Sequence, residues 1–177
     1  MKKVIVLILI GITLFSLTKR SDEVLIPDEA IRFRVIANSD TNLDQNIKKL
    51  VKTDVEKEIF DDIRGSNNIN ETRNIITSNI PRYEKVVLST LRENNTNQEF
   101  NLNYGMNYFP EKEYKGVKYK AGKYESLVVT LGEGKGKNWW CVLFPPLCLL
   151  DAKETEKDTD KVEYKFFVKE LLEKYFK

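Results

Sequence analysis

Two apolar runs joined by a glycine-rich segment constrain the fold of this chain more than any other feature. Residues 127–131 read Leu-Val-Val-Thr-Leu, and residues 139–144 read Trp-Trp-Cys-Val-Leu-Phe. Between them, Gly132, Gly134 and Gly136 alternate with mostly charged residues. Short runs rich in Val, Leu and aromatic residues, bounded by Gly and Pro, are typical of β-strands. The sequence therefore predicts a β-hairpin with a connection of seven residues.

Pairing Leu131 with Trp139 would sort the side chains of this hairpin into two faces. One face is wholly apolar and is predicted to be core: Leu127, Val129, Leu131, Trp139, Cys141 and Leu143. The other face is mixed: Ser126, Val128, Thr130, Trp140, Val142 and Phe144. The mixed face is either covered within the protein or left for a partner. Burial is the simpler alternative, because aromatic strands usually belong to a core.

The glycines do not predict a phosphate site. A phosphate-binding loop leads from a strand into a helix, whose N-terminal amides hold the anion. Here the loop leads into a second apolar strand. A solvated turn explains the glycines better.

Histidine is absent from the 177 residues, and the formal net charge is only +2. The missing imidazole removes the Ser–His–Asp and Cys–His catalytic pairs. Two cysteines alone cannot complete a zinc site, so neither a metal nor another cofactor is expected. The near balance of interspersed acids and bases argues against nucleic acid as a partner, which usually needs a concentrated basic face.

The N-terminus has the pattern of an export leader. Two lysines precede an apolar run at residues 4–17, and Lys19 and Arg20 follow it. At about 1.5 Å per residue such a helix is shorter than a ~30 Å hydrocarbon core, which is typical of a secretory signal. A small-residue cleavage site is poorly formed, so an uncleaved anchor that associates with the membrane through residues 4–17 is the alternative. Residues 1–20 are assigned to this segment, and an extracytoplasmic location follows.

The remaining chain, residues 28–177, is predicted to be one α+β domain with a mainly antiparallel sheet and two or three helices packed on it. Alternation predicts strands at residues 31–37 and 100–108. Thr41 and Asp44 fit a capping box for a helix that ends before Gly65, and a second helix is predicted around Pro81. A short hairpin is expected within residues 110–122, and a brief strand at residues 162–166 should lead into a terminal helix. The apolar stripe predicted for the first helix is Leu43, Ile47, Leu50, Val51, Val55, Ile59 and Ile63.

Cys141 and Cys148 flank the pair Pro145-Pro146, which can turn the chain back on itself. Such a turn would bring the two Cα atoms close to the ~6 Å that a disulfide requires. Export would place the pair where disulfides persist. A disulfide is therefore predicted, with two buried free thiols as the alternative.

Two stretches together strongly resemble the stage II sporulation protein R family of endospore-forming bacteria. Residues 31–40 read Ile-Arg-Phe-Arg-Val-Ile-Ala-Asn-Ser-Asp, and residues 132–151 read Gly-Glu-Gly-Lys-Gly-Lys-Asn-Trp-Trp-Cys-Val-Leu-Phe-Pro-Pro-Leu-Cys-Leu-Leu-Asp. As in that family, Asp44-Gln45 and a lysine-rich helix follow the first stretch. The likeness spans roughly residues 28–175. The chain departs from the pattern at Arg34, where histidine is common.

This resemblance implies a signalling protein and not an enzyme. Members of the family are made in the forespore and exported into the space between forespore and mother cell. There they activate a membrane-embedded aspartic protease of the mother cell, which then processes a sigma-factor precursor, pro-sigma-E. That protease is accordingly the expected partner.

A docking face for this partner is hypothesised on the aromatic strand. Its proposed centre is Trp140, Phe144, Pro145 and Pro146, with Trp139 beneath. Aromatic residues at the centre of an interface carry most of its binding energy. Arg32 and Arg34, on the non-core side of their strand, would supply a charged rim together with Asn38, Ser39 and Asp40. A turn and a helix cap would, however, explain the last three without any function.

Two other functions remain open at this point. A small exported cell-wall hydrolase would need two carboxylates with separated pKa values, drawn from Asp40, Asp44 or Asp151. A protease inhibitor differs from an activator only in the sign of its effect, which residue spacing does not reveal.

Overall fold

The computed structural model describes residues 24–114, 117–148 and 161–176. These residues form two β-sheets and three α-helices. In chain order the elements are β1 (Val24–Leu25), β2 (Ile31–Ile36), α1 (Asn42–Ile63), α2 (Ile69–Glu93), β3 (Phe100–Phe109), β4 (Lys112–Tyr114), β5 (Val117–Tyr119), β6 (Gly122–Leu131), β7 (Asn138–Phe144) and α3 (Lys161–Tyr175). The predicted α+β class is confirmed.

The main sheet has the strand order β3-β6-β2-β7. The predicted hairpin between β6 and β7 is wrong, because β2 lies between them, parallel to β6 and antiparallel to β7. Two strand spacings amount to only about 10 Å. A seven-residue connection reaches across that distance easily, so the glycine-rich segment passes over the end of β2.

The predicted core face survives this change of pairing. Phe33 lies opposite Leu127 on one side and opposite Cys141 on the other, so all three point to the same side of the sheet. On that side Leu127, Val129, Leu131, Cys141 and Leu143 are buried, and Trp139 packs against them. The prediction that Phe144 lies on the mixed face is wrong. Ile31 lies opposite Phe144 and Arg32 opposite Val142, so the extra residue turns Phe144 into the main core.

The first helix begins as predicted, with the side chain of Thr41 accepting a hydrogen bond from the Asp44 amide at 3.2 Å. Its buried face is rotated from the predicted stripe. Leu43 and Leu50 are 71% and 41% exposed, whereas Lys48 and Glu56 are buried. At about 100° per residue, Lys48 lies nearer the middle of the contact with the sheet than either leucine does.

The second helix has Pro81 inside it, as the sequence pattern predicted, and begins after Asn68, which is its N-cap. The strand predicted at residues 162–166 is instead part of α3. Within the stretch expected to hold a short hairpin, β4 and β5 pair antiparallel, and β5 also pairs parallel with β1. This small sheet and α3 cover the second face of the main sheet around a second core: Ile26, Ala30, Val117, Val142, Leu147 and Val168.

Of the helices in the described ranges, none is long and apolar enough to cross a membrane. The predicted leader at residues 1–20 lies outside those ranges, as does Asp151.

Candidate interaction site

The two segments that carry the resemblance meet in the structure. We call residues 38–40 the polar turn and residues 132–137 the glycine loop. The Lys135 amide of the loop donates a hydrogen bond to the Asn38 carbonyl of the turn at 3.0 Å, and the Gly136 amide donates to the carbonyl of Ala37, immediately before the turn, at 2.9 Å. A sequence separation of almost a hundred residues thus becomes direct contact at the end of β2.

Side chains of the polar turn complete this contact. Asn38 Oδ1 accepts a hydrogen bond from the Glu133 amide at 2.9 Å, and Asp40 Oδ1 accepts one from the Lys137 amide at 2.6 Å. The polar residues at these positions therefore do more than end a strand, because they satisfy amides of the loop that passes over it.

Glycine is required where the two segments approach most closely. A Cβ atom on Gly136 would lie 2.2 Å from the Ser39 carbonyl oxygen. Gly132 has φ +52°, and a Cβ there would lie 2.3 Å from Asn38 Oδ1. The spacing of the glycines thus reflects packing against the polar turn, and this supports the rejection of a phosphate site.

Asp44 fixes the polar turn from the first turn of α1. Its carboxylate accepts hydrogen bonds from Ser39 Oγ and Asn38 Nδ2, and from Gln98 Nε2 at 3.2 Å. These donors, Ser39 first, lower the pKa of Asp44. A hydrolase acid needs the opposite shift. The geometry therefore gives Asp44 a positioning role and does not favour the hydrolase hypothesis.

Lys48 supports the glycine loop from below. Its ammonium group donates to Gln45 Oε1 at 2.6 Å and to the Lys137 carbonyl at 3.0 Å. Gln45 in turn donates to the Ser39 carbonyl at 2.9 Å. Burial lowers the pKa of Lys48. Lys48 falls outside the apolar stripe predicted for the first helix, so solvent exposure was the simpler expectation, and only its position one residue after Ile47 indicated otherwise.

The twin tryptophans follow the glycine loop directly and point to opposite faces of β7. Trp139 meets the ring of Phe33 edge-on at 5.6 Å, and Lys52 Nζ lies 4.7 Å from its ring centre. Trp140 meets Phe109 edge-on at 5.2 Å, and Lys112 Nζ lies 4.9 Å from its ring centre. Both indoles are half-buried. Each is therefore fixed by the protein and still reaches its surface.

The two arginines of β2 differ in exposure. Arg34 is partly exposed and donates to the Tyr108 carbonyl at 3.2 Å, with Trp140 nearby. Arg32 is only 1% exposed, and its guanidinium lies 3.3 Å from the centre of the Tyr124 ring. No group in the described ranges accepts a hydrogen bond from its nitrogens, and burial lowers its pKa. Arg32 has no surface to offer a partner, because the small sheet covers it.

Burial also divides the proposed centre of the docking face. Phe144 and Pro145 are buried, whereas Pro146 is partly exposed. The predicted disulfide is confirmed, since Cys141 and Cys148 are bonded with their Cα atoms 5.6 Å apart. The parts of the proposed face that remain accessible are Trp139, Trp140 and Arg34, towards the end of the sheet that carries the polar turn. Pro146 lies at the other end of β7, where it lines a cavity with Phe60 and Ile63.

Among the described residues, one group has the side-chain types of a metal site: Glu56, Cys141 and Cys148, whose ligand atoms lie within 4.8 Å of one another. Both sulfurs are held in the disulfide. Zinc binds thiolates, so in this state the cluster offers no adequate donor set.

Comparison with known proteins assigns the chain to a family. The sequence model of stage II sporulation protein R matches residues 27–154. The chain belongs to the stage II sporulation protein R family. A curated relative is the stage II sporulation protein R of Bacillus subtilis (strain 168), 39% identical over 150 residues, which cover 84% of this chain and 67% of the relative. No solved structure matches.

The family match includes both the polar turn and the glycine loop with the tryptophans after it. The sequence predicted no contact for five residues that hold or flank the surface from other elements: Gln45, Lys48, Lys52, Gln98 and Lys112. The family resemblance includes Gln45 and the lysine-rich helix, whereas nothing near Gln98 or Lys112 in the sequence marks them.

Proposed function

We propose that this sporulation protein is an exported signal that activates a membrane-embedded aspartic protease of the mother cell, which then processes the sigma-factor precursor pro-sigma-E. The proposal follows from family membership. One structural observation carries it further: the two stretches that resemble the family most closely pack against each other at one end of the sheet, where the glycine loop leads directly into the tryptophans.

The chemistry of this surface supports recognition more than catalysis. Asp40 and Asp44 are engaged in holding loops together by hydrogen bonds. The half-buried tryptophans present rigid aromatic area, which is the type of residue that dominates binding energy at interfaces. A surface of this kind can deliver a signal through binding alone.

Export is supported by two independent features. The leader pattern at residues 1–20 is typical of a secreted or membrane-anchored protein. The disulfide between Cys141 and Cys148 belongs with an oxidising compartment outside the cytosol. The proposed location is therefore the space between the two cells, with membrane association through residues 4–17 if the leader is not cleaved.

Co-expression tests the proposal directly. The chain, the membrane protease and the sigma-factor precursor are produced together in a host that does not sporulate, and cleavage of the precursor is measured. We expect cleavage only when all three are present. Cleavage of equal extent without this chain would refute an activating role, and reduced cleavage in its presence would make it an inhibitor.

A variant pair then locates the contact. Trp140→Ala removes a half-buried indole, and loss of a central interface aromatic typically costs about 2 kcal/mol or more, or roughly thirtyfold in affinity. Leu88→Ala on α2, at a 38% exposed leucine, is the control. We expect Trp140→Ala to lose signalling while it keeps a cooperative unfolding transition. An unfolded Trp140→Ala protein would instead assign the indole to the core.

A further inference from the structure

Among the residues that the structure describes, the outer side of β7 pairs with no other strand and forms an edge of the main sheet. In the strand order β3-β6-β2-β7, β2 is the one strand of the described ranges that pairs with β7. Residues 138–140 are half-buried, whereas residues 141–144 are buried. An edge strand leaves backbone N–H and C=O groups unpaired, and an extended polypeptide can bond to them. The accessible part of the edge is therefore the stretch that contains both tryptophans.

Cationic side chains surround this stretch on both faces of the sheet. Lys52 lies over Trp139 on the side of α1, and Lys112 lies over Trp140 on the opposite side. Lys48 Nζ donates a hydrogen bond to the carbonyl of Lys137, the residue immediately before the edge. Lys137 immediately precedes the edge, and Lys49 lies three residues before Lys52 on the neighbouring turn of α1. With Arg34 near Trp140, six positive charges act on one short segment.

Among the described residues, few carboxylates offset these charges. Glu56 forms an ion pair with Lys52. Asp40 attracts the charge of Lys48 and accepts a hydrogen bond from the Lys137 amide. Within the described part of the chain, no carboxylate forms an ion pair with Lys49, Lys112 or Lys137. The net charge of the whole chain is only +2. The positive excess is therefore local to the edge.

We propose that the edge of β7 at residues 138–140 binds an extended acidic segment of the partner protein, which joins the sheet as a fifth strand. Its carboxylates would lie near Lys49 and Lys52 on one face and near Lys112 on the other. This inference rests on the proposed function for the existence of a partner, and it adds the chemistry by which that partner is recognised.

Other occupants fit less well. A second copy of this chain, paired through the same edge, would bring like charges together. Anionic lipid would satisfy the lysines but has no backbone to pair with β7. An extended acidic polypeptide is the class that uses both the charges and the unpaired backbone groups.

The chain contains only two tryptophans, and both lie at this edge, so intrinsic fluorescence reports on the site directly. The probe is a blocked octapeptide, Val-Glu-Glu-Val-Glu-Glu-Val-Val, titrated into the oxidised whole chain. Its charge control has every Glu replaced by Gln. Its backbone controls carry N-methyl groups at the odd or at the even positions, because only one side of the peptide can pair with β7.

We expect the Glu peptide to change the tryptophan emission saturably and to bind about fivefold or more tightly than the Gln peptide, with weaker binding as salt rises. One of the two N-methylated peptides should lose binding, and the other should keep it. Equal binding by the Gln peptide, or by both N-methylated peptides, would overturn the proposal, as would the absence of any binding.

Variants of the chain test whether the lysines at the edge contribute to peptide binding. Together, Lys49→Gln and Lys112→Gln should weaken binding of the Glu peptide about fivefold, since each exposed ion pair contributes modestly. Lys85→Gln, at an exposed position on α2, is the matched control and should bind like the parent. Phosphatidylglycerol vesicles are the competing probe. Binding to vesicles that depends on Lys49 and Lys112, without binding to the peptide, would assign the edge to lipid and refute the proposal.

The cleavage assay separates this inference from the proposed function. If the chain is required for precursor cleavage but the Glu peptide does not bind, the acidic-strand inference fails and the proposed function stands. If the peptide binds as expected but the chain is not required for cleavage, the edge is a peptide site and the proposed signalling role fails.

Discussion

Replacement of Gly136 by alanine should detach the glycine loop from the end of β2. The new Cβ atom would lie 2.2 Å from the Ser39 carbonyl oxygen, 2.6 Å from its carbonyl carbon and 2.9 Å from Ala37 Cβ. Two of these atoms are backbone and the third is a Cβ, so none can rotate away as the end of a flexible side chain would. The loop must therefore move outward.

The cost follows from the hydrogen bonds that this movement breaks. Four amides of the loop bond to residues 37–40, those of Glu133, Lys135, Gly136 and Lys137. Each such bond contributes about 0.5–1.5 kcal/mol net. At about 1 kcal/mol per bond, loss of two to four of them, offset by about 0.4–1 kcal/mol from the stiffer unfolded chain, lowers the free energy of unfolding by about 1–3.5 kcal/mol. That is a large share of a total of about 5–15 kcal/mol.

Urea unfolding of the oxidised protein, followed by circular dichroism, measures this difference. Gly65→Ala is the matched control, because no heavy atom lies within 4 Å of its added Cβ. We expect the control to stay within about 0.5 kcal/mol of the parent, as surface substitutions usually do. The Gly136 variant should also signal poorly in the cleavage assay, since the loop leads directly into Trp139. Equal stability of the two alanine variants would refute the docked loop.

Three further predictions concern other parts of the chain. Replacing both Cys141 and Cys148 by serine should lower the free energy of unfolding by about 2.5 kcal/mol in the chain-entropy model. It should also abolish the effect of reductant on urea unfolding, and a parent protein insensitive to reductant would contradict the disulfide. Hydrogen bonds from Ser39 and Arg73 lower the pKa values of Asp44 and Glu125, respectively. Their stabilisation should thus be complete above a pH of about 5 and should be lost as the pH falls through the depressed pKa values. Asp44→Asn should flatten this acid limb of a urea titration series, and an unchanged limb would argue against the network. Arg32→Met should retain or increase thermal stability, because a buried guanidinium without a hydrogen-bond acceptor is exchanged for an apolar chain among aromatic rings. A large loss of thermal stability would show that the contact of the guanidinium with the Tyr124 ring outweighs the cost of removing its charge from water.

The alternation of side chains along a strand explains which features of the sheet could be predicted from the sequence. Leu127, Val129 and Cys141 were assigned to the core correctly although their strand partners were wrong, because alternation fixes the face of a strand and not its neighbour. The cap of α1 and the disulfide were predictable because local chemistry determines both. The exposure of Leu50 and the burial of Arg32 depend on what packs above them, and no local pattern contains that information.

The insertion of β2 between β6 and β7 also decides what the tryptophan strand can do. In the predicted hairpin, β7 would pair with β6, and β2 would have to lie elsewhere. In the structure, β2 pairs with both strands, so β7 becomes an edge and carries Trp139 and Trp140 with it. The glycine loop makes this possible, because its close contact with the polar turn lets the chain pass over β2 without a longer connection. The two segments that resemble the family thus serve one purpose: the first supplies the central strand and its turn, and the second crosses them to present the tryptophans at an open edge.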